Sequence, residues 1–291
     1  MRSRTRLAPY LFLLPFLVVF GGFFLLPLVQ SLGMSVRAYA GPRASRPVGL
    51  AHYRFLLVDP LFWVAVLNTA SYAALFLLVQ VPLSLGLALL LNARRVRGRA
   101  LFRLAMLLPF LAGNVLAGVL FTVLLAPGSG LVNRAVGMLL PAVGANLNWR
   151  TDPVLATVAI VAAVAWLTVG WGMVYLLAAL QSVDRQLYEA AAVDGATPWQ
   201  RFRHVTLPGV RPVLAYLVLV GTIGGLQLFE LPYVFLQGLG PRLRGLTVVQ
   251  YLVIRGFDRG DLGTAAAVGW VLVVLITLAA IPQLRRMRGS Q

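Results

Sequence analysis

Long uncharged windows are the feature that most constrains the fold of this chain. Six stretches of 23 to 34 residues separate charged positions, and a single glutamate interrupts one of them. A spanning α-helix needs about 20 apolar residues, so each window holds one helix and none holds two. Their continuous apolarity excludes a β-barrel, whose short strands alternate. The predicted transmembrane helices cover residues 9–31, 66–91, 103–125, 154–180, 213–237 and 264–283.

The composition is typical of an integral membrane protein. Hydrophobic residues make up 60% of it and charged residues 11%, with a mean hydropathy of +0.86. A soluble domain carries roughly 25% charged residues, so this chain lacks the polar surface of a soluble enzyme or a nucleic-acid-binding domain. The predicted fold class is therefore all-α, a polytopic membrane protein with six transmembrane helices.

The basic residues predict the orientation of those helices. All 25 are Arg, and 15 fall in the segments that become cytoplasmic when the N-terminus is placed in the cytoplasm. Their density there is about twice that of the external loops, as the positive-inside rule requires. Arg94, Arg95 and Arg97 give the strongest anchor. Both termini are thus predicted to be cytoplasmic, and the net charge of +17 needs no nucleic acid to explain it.

The first window also has the flanking arginines of a secretory signal. Arg2, Arg4 and Arg6 precede it. Its apolar run is longer than the 7–15 residues of a signal core. We therefore expect a retained transmembrane helix.

Two missing residue types exclude several chemistries. The chain has no Cys, which excludes disulfides and Cys-based metal sites. It has no Lys, which excludes an ordinary Walker A loop. The two histidines, His52 and His204, fall on opposite sides of the membrane in this topology, so they cannot share a metal. No metal site is predicted.

The connection between the fourth and fifth windows, residues 181–212, is the one long cytoplasmic loop of this topology. A run of good helix formers leads to Gly195, which suits a left-handed helix stop. Thr197 and Gln200 have the spacing of a capping box around a proline at the first helical position. Pro208 is expected to end the second helix. The loop is therefore predicted to be a hairpin of two short helices projecting from the membrane.

This hairpin carries apolar side chains that a simple connection does not need. They are Leu187, Tyr188, Trp199 and Phe202. An apolar surface on a projecting element is typical of a docking site for another protein. The competing interpretation is that the loop packs under its own helix bundle, and the residues alone leave both open.

The same loop carries a family resemblance. Glu189-Ala190-Ala191 and Asp194-Gly195-Ala196, followed by Leu207-Pro208, resemble the EAA loop of ATP-binding cassette (ABC) importer permeases. Flanking stretches such as Asp261-Leu262-Gly263 resemble the carbohydrate branch of that family, which includes the maltose and glycerol-3-phosphate permease subunits. The resemblance covers roughly residues 48–283. On this basis residues 1–62 form an N-terminal transmembrane helix with its external loop. Residues 63–283 form the permease core, which contains the coupling loop at 181–212, and residues 284–291 form a cytoplasmic tail.

The resemblance implies an importer half-channel in the cytoplasmic (inner) membrane of a prokaryote. In this family two permease subunits pair with each other, and the resemblance favours a different chain as the partner, with a homodimer as the alternative. Two ATPase subunits dock beneath them, and an extracytoplasmic binding protein delivers the solute. This chain would bind no cofactor, while ATP and Mg²⁺ would belong to the partner ATPase. The residues assigned by resemblance to ATPase coupling are Tyr188, Glu189, Ala190, Ala191, Asp194, Gly195, Leu207 and Pro208.

Polar and aromatic residues deep in the predicted spans are the candidate solute contacts. Sugars bind through hydrogen bonds and aromatic stacking, and unpaired polar groups in lipid cost several kcal/mol. Glu230 is the one ionisable residue well inside a predicted span, which makes it a functional candidate by default. Packing of Trp and interhelical hydrogen bonds of the polar groups are the alternatives. The candidates are Asn114, Thr168, Trp171, Gln227 and Glu230, with Trp166 considered beside them.

Two other functional classes are alternatives to a permease subunit. A stand-alone secondary transporter or channel would need an ion relay, and Glu230 alone is a poor one. A membrane-embedded transferase would need paired carboxylates, of which Asp258 and Asp261 are the nearest pair. The leading prediction is a non-enzymatic permease subunit of an ATP-driven importer that moves a sugar, oligosaccharide, polyol or glycerol phosphate by alternating access.

Overall fold

Six helices long and apolar enough to cross a membrane are present in the described part of this computed structural model, as the sequence predicts. The structure describes residues 8–39, 45–93, 98–139 and 147–288. The arginines at positions 2, 4, 6, 94, 95 and 97, used above for orientation, lie outside the described residues. The six candidate spans are Leu11–Ser35, Pro60–Asn92, Arg99–Leu124, Pro153–Ser182, Pro198–Leu226 and Leu262–Arg285.

The first span consists of α1 (Ala8–Phe20), a π-helical turn (Gly21–Leu25) and α2 (Leu26–Ser35). Two further π-helical turns cover Phe202–Thr206 and Ile254–Asp258. The helices that follow are α3 (Ala51–Val58), α4 (Pro60–Asn92), α5 (Arg99–Leu124), α6 (Leu131–Leu139), α7 (Pro153–Ser182), α8 (Arg185–Val193), α9 (Pro198–Arg201), α10 (Leu207–Leu226), α11 (Glu230–Leu236), α12 (Val248–Val253) and α13 (Leu262–Arg288).

One short antiparallel ribbon adds to the predicted all-helical fold. Strand β1 (Arg37–Tyr39) pairs with β2 (Ser45–Pro47). In this register Arg37 lies opposite Pro47 and Tyr39 lies opposite Ser45. The ribbon belongs to the connection between the first and second spans, where the sequence predicts an external loop.

The chain divides into two compact units. The first consists of Met1–Phe62 and Tyr251–Val274, and the second of Trp63–Gln250 and Leu275–Gln291. In the first unit Asp59 forms an ion pair with Arg255 at 2.7 Å and accepts a hydrogen bond from the Tyr251 hydroxyl at 2.5 Å. These contacts join the start of α4 to α12 and the π-helical turn after it.

Electrostatics strengthen this junction in the first unit. Burial alone would raise the pKa of the Asp59 carboxyl, but hydrogen bonds from Tyr251, from the Leu61 N–H and from Arg255, together with the Arg255 charge, outweigh it and hold that pKa below its usual value. Burial and the hydrogen bond to Asp59 raise the pKa of Tyr251 to about 12. The ionised Asp59 therefore stabilises the fold at neutral pH, and this stabilisation is lost as the pH falls through its lowered pKa.

Helix α7 is the centre of the second unit. Its buried residues, from Ala156 to Leu180, occur on every side of the helix. A helix that is apolar all round is buried all round, because it has no polar face to turn to solvent. The walls of the candidate site are built around it.

Two glycines of α7 let neighbouring helices approach its backbone. A Cβ at position 170 would lie 1.7 Å from the Met106 carbonyl oxygen of α5. A Cβ at position 172 would lie 2.6 Å from Ser84 Oγ of α4. Ser84 Oγ in turn donates a hydrogen bond to the Val169 carbonyl at 3.0 Å. Close packing at small residues, reinforced by a buried hydroxyl, is how helices associate in a bilayer.

The fifth span differs from its predicted limits of 213–237. Helix α10 ends at Leu226, and Gln227 and Phe229 leave the helical conformation before α11 begins at Glu230. The prediction that Glu230 lies well inside one continuous helix is therefore wrong. Gly224 and Gly225 have low helix propensity, and the Gln227 N–H closes the last turn on their carbonyls. Hydropathy alone does not reveal such a break in a helix.

The expectation that Pro208 ends the second loop helix is also wrong. The helix continues from Pro198 through the π-helical turn Phe202–Thr206 into α10. Within the wider π turn the Leu207 N–H bonds to the Phe202 carbonyl, five residues back. Pro208 then stands in the first turn of α10, where its missing N–H is tolerated.

The close approach at Gly170 predicts a large effect of side-chain size there. Gly170→Leu should separate α5 from α7 and destabilise the protein by about 1–3 kcal/mol or more, because overpacking forces backbone shifts. The thermal unfolding midpoint of the purified protein in detergent measures this. Gly86→Leu in α4 is the matched control, since a Cβ there meets no atom within 4 Å. Equal midpoints for the two variants would contradict the packing described here.

Candidate functional site

The predicted cytoplasmic loop folds as a helical hairpin. Asp184 caps α8 by accepting a hydrogen bond from the Gln186 N–H at 2.9 Å. The helix ends at Val193, and Gly195 follows with a φ of +75°. Only glycine adopts this left-handed conformation without strain, so the turn between α8 and α9 depends on it.

The second helix of the hairpin begins with the predicted capping box. Thr197 Oγ1 accepts from the Gln200 N–H at 3.3 Å, and Gln200 Oε1 accepts from the Thr197 N–H at 2.7 Å. Pro198 occupies the first helical position. The Tyr188 hydroxyl donates to Thr206 Oγ1 at 3.0 Å and so ties α8 to the π-helical turn after α9. Local contacts therefore hold the hairpin.

The hairpin presents its side chains to the outside. No residue of α8 or α9 is buried. Trp199 is 67% exposed although it is aromatic, and it stacks on Phe202, with ring centroids 5.4 Å apart. Glu189 lies 3.4 Å from Arg185, and both side chains remain mostly exposed. Packing under the chain's own bundle would bury these groups, so the arrangement favours docking of another molecule.

A cavity of about 550 Å³ lies in the second unit. Its walls come from α4, α5, α7, α10, the segment between α10 and α11, and the start of α11. All five candidate solute contacts line it, namely Asn114, Thr168, Trp171, Gln227 and Glu230. Trp166 does not line it and instead packs against Phe121, with ring centroids 5.9 Å apart. The structure thus brings the five residues together, and their contact with a solute stays a prediction.

Breaks in two helices form the polar part of this cavity. Gly113 interrupts α5 with φ +75° and ψ 170°, a conformation available to glycine. The next residue, Asn114, donates a hydrogen bond through Nδ2 to Glu230 Oε2 at 2.9 Å. Glu230 is the first residue of α11, just after the end of α10. A carboxylate and two amides, including Gln227, therefore face the cavity.

Aromatic rings form another part of the wall. Phe110 of α5 stacks on Trp171 of α7, with centroids 6.1 Å apart and planes at 17°. Thr168 lies one turn away, and its hydroxyl donates to the Val164 carbonyl of its own helix at 2.8 Å. Its hydroxyl proton is therefore already engaged, which leaves its oxygen as an acceptor.

Sequence reasoning missed the contribution of α4 to the cavity. Tyr72, Phe76 and Gln80 of this helix line it. Gln80 is 1% exposed, and its Oε1 has no hydrogen-bond partner among the described residues. An amide this deep in an apolar span, 20 residues after Pro60, was a signal that could have identified Gln80. Tyr72 and Phe76 carry no such signal, because aromatic residues are common in spans.

Among the residues that the structure describes, no group of three or more His, Cys, Asp or Glu side chains is placed to hold a metal ion.

The geometry can now be set beside known proteins. Residues 80–284 match the family of binding-protein-dependent transport system inner membrane components. The chain belongs to this family. The matched region contains the hairpin and nearly all of the cavity walls. The resemblance noted in the sequence is thereby confirmed.

Similar proteins agree with this assignment over almost the whole chain. The arabinooligosaccharides transport system permease protein AraP of Bacillus subtilis (strain 168) is 35% identical over 97% of this chain and 89% of its own length. The lactose transport system permease protein LacF of Rhizobium radiobacter is 33% identical over 94% of this chain and 92% of its own length.

A solved structure shows the same fold. It is the crystal structure of a bacterial ABC transporter involved in the import of the acidic polysaccharide alginate. One of its chains matches with a TM-score of 0.83 at 24% identity, over 99% of both chains. This inner membrane component is therefore a multi-pass membrane subunit of a binding-protein-dependent transport system. A stand-alone carrier or channel is not favoured, since the family works with a separate binding protein.

The hydrogen bond between Asn114 and Glu230 gives a quantitative prediction. A double-mutant cycle of Asn114→Ala and Glu230→Ala should show a coupling free energy of about 1 kcal/mol, because a neutral amide donates to a carboxyl group at a solvent-exposed position. Thermal unfolding in detergent measures it. The cycle of Asn114→Ala with Thr168→Ala is the control, and its coupling should be near zero. Equal coupling in both cycles would argue against a direct contact.

Proposed function

We propose that this chain is the permease subunit of an ATP-driven importer that moves a carbohydrate across the cytoplasmic membrane by alternating access. The observation that carries the proposal is the cavity in which polar candidates and aromatic rings meet. The relatives support the substrate class, because their names specify arabinooligosaccharides and lactose.

The lining of the cavity suits a carbohydrate. Trp171 and Phe110 offer ring faces that stack on the apolar faces of a sugar. Asn114, Gln227 and Glu230 offer donors and acceptors for its hydroxyls. A volume of about 550 Å³ is also within the usual range for a small-molecule site. We infer that these residues contact the solute during transport.

The hairpin of α8 and α9 is the proposed docking site for the ATPase. Glu189 would meet basic or polar groups of that subunit, and Ala190 and Ala191 would allow its close approach. Gly195 shapes the turn, while Tyr188 ties α8 to the helix that leads into α10. A push on the hairpin would therefore reach α7 and α10, which both line the cavity.

The remaining assembly follows from the same proposal. ATP and Mg²⁺ bind to two partner ATPases, since this chain has no Lys for an ordinary phosphate-binding loop. A second permease subunit completes the pathway, and an extracytoplasmic binding protein delivers the solute. Both termini and the hairpin face the cytoplasm, as the distribution of Arg favours.

The proposed docking of the ATPase on the hairpin predicts that the hairpin is needed to couple ATP hydrolysis to uptake. Glu189→Lys should abolish ATP-dependent uptake by the assembled importer in proteoliposomes, because it reverses a charge on the docking surface. Gly195→Ala should lower uptake strongly, since a Cβ in the left-handed conformation costs about 1–2 kcal/mol. Co-purification of the ATPase with the permease is the second measurement, and both variants should reduce it.

The matched control for charge reversal is Asp258→Lys, in the exposed stretch between α12 and α13. It should leave ATPase co-purification unaltered. Uptake by Glu189→Lys at the original rate, or uptake that persists in proteoliposomes with a proton gradient but without ATP, would contradict the proposed mechanism.

The cavity predicts a different phenotype. Trp171→Ala and Gln227→Ala should raise the solute concentration needed for half-maximal ATPase stimulation by about tenfold, since each removes one stacking or hydrogen-bonding contact worth roughly 1 kcal/mol or more. Assembly with the ATPase should be unchanged. Trp166→Ala is the control, because Trp166 lies outside the cavity. Loss of assembly in parallel with loss of stimulation would make Trp171 and Gln227 packing residues.

A further inference from the structure

Two tyrosines extend the aromatic wall of the cavity. The ring of Tyr175 lies 4.8 Å from that of Trp171, and the ring of Tyr216 lies 6.3 Å from it. The two tyrosine rings are 5.7 Å apart. Neither tyrosine lines the cavity described above, but Trp171 does. The rings therefore form one continuous cluster that begins in the cavity and passes out of it.

The positions of the two tyrosines in their helices show that the cluster extends toward the hairpin. Tyr175 lies four residues beyond Trp171 on α7, toward the end at Ser182 that leads into the hairpin. Tyr216 lies four residues before Val220 on α10, toward the end at Leu207 that leaves the hairpin. Four residues are about one helical turn. Both tyrosines thus stand one turn closer to the hairpin than the cavity-lining residues of their own helices.

Helices α4 and α5 pack against α7 at the same level. On α4, Ser84 lies one turn beyond the cavity-lining Gln80 and is fully buried, with its hydroxyl bonded to Val169. On α5, Met106 lies one turn beyond Phe110, and its carbonyl packs against Gly170. One turn beyond the cavity, α4 and α5 therefore pack directly against α7, while the aromatic cluster continues between α7 and α10.

The tyrosines are accessible, and their hydroxyl groups are available. Tyr175 is 42% exposed and Tyr216 is 36% exposed. Neither hydroxyl has a hydrogen-bond partner among the described residues. Tyr175 lies seven residues, or about 10 Å, inside the end of α7. An unpaired hydroxyl at that depth is costly against lipid but is satisfied in a wet pathway.

We propose that Tyr175 and Tyr216 form a second carbohydrate subsite, which receives the sugar ring as it leaves the cavity toward the hairpin. Ring faces for stacking and free hydroxyls for hydrogen bonds are the chemistry that recognises a sugar. The subsite lies about one sugar ring beyond Trp171, so it acts on solutes of more than one ring. This inference rests on the proposed carbohydrate substrate.

The test compares solutes of different length in the assembled importer. The probes are arabinose, arabinobiose and arabinotriose, with lactose as a second disaccharide, and uptake is measured in proteoliposomes containing ATP. The double variant Tyr175→Ala/Tyr216→Ala should lower arabinotriose uptake about tenfold, because two aromatic contacts are lost, and monosaccharide uptake less than twofold. The double Phe variant keeps the rings and should lower arabinotriose uptake about threefold.

Two controls separate the subsite from a structural role. Tyr233→Ala removes a tyrosine that is 48% exposed and packs against Phe229 outside the cluster, and it should leave every uptake rate unchanged. Co-purification of the second permease and the ATPase should be unaltered in all variants. Unchanged arabinotriose uptake, equal loss for all solute lengths, or loss of assembly would overturn the second subsite.

The same experiment keeps the two proposals apart. If Trp171→Ala raises the half-maximal solute concentration while the double Ala variant has no length-dependent effect, the second subsite fails and the carbohydrate assignment stands. If neither variant changes the uptake of any of these sugars or the concentration that gives half-maximal ATPase stimulation, both proposals fail.

Discussion

The approach of two helices to the glycines of α7 is the constraint on which the candidate site depends. Gly170 admits the backbone of α5, and Gly172 admits Ser84 of α4. Trp171 stands between them and reaches the cavity, because neighbouring positions of a helix point about 100° apart. The contacts that hold the three helices together therefore also fix the ring that we propose stacks on the solute. With hydrocarbon on the outside, close packing of this kind is the main attraction between such helices.

Irregular backbone creates the polar part of the cavity. Asn114 follows the break at Gly113, and Glu230 follows the end of α10, so two interrupted helices present an amide and a carboxylate to one space. Broken helices at membrane depth are tolerated where they line a cavity, since their freed backbone groups find partners or water there. The arrangement links the proposed function to the fold, because an uninterrupted pair of apolar helices would offer no hydrogen bonds to a sugar.

The hairpin shows how far local chemistry can be read from residues. The capping box of Thr197 and Gln200 and the left-handed turn at Gly195 occur where the sequence places them. Each involves groups within three or four residues of one another, so no distant element has to be known. The prediction that Pro208 ends the helix was wrong because the helix continues through it. A five-residue π turn precedes Pro208 and lets the helix continue although the proline has no N–H to donate. No simple residue pattern predicts such a turn.

The sequence by itself determined the membrane class, six apolar spans and the helical hairpin, because charge spacing, hydropathy and capping act over one helix or less. It also singled out five polar or aromatic candidates, which the structure then brought to one cavity. Only the tertiary structure decided that Gln80, Tyr72 and Phe76 join that cavity, that Trp166 does not, and that Tyr175 and Tyr216 extend its aromatic wall. Those outcomes depend on which faces of separate helices meet, and the meeting is set by backbone contact at glycines and by helix breaks rather than by any local pattern.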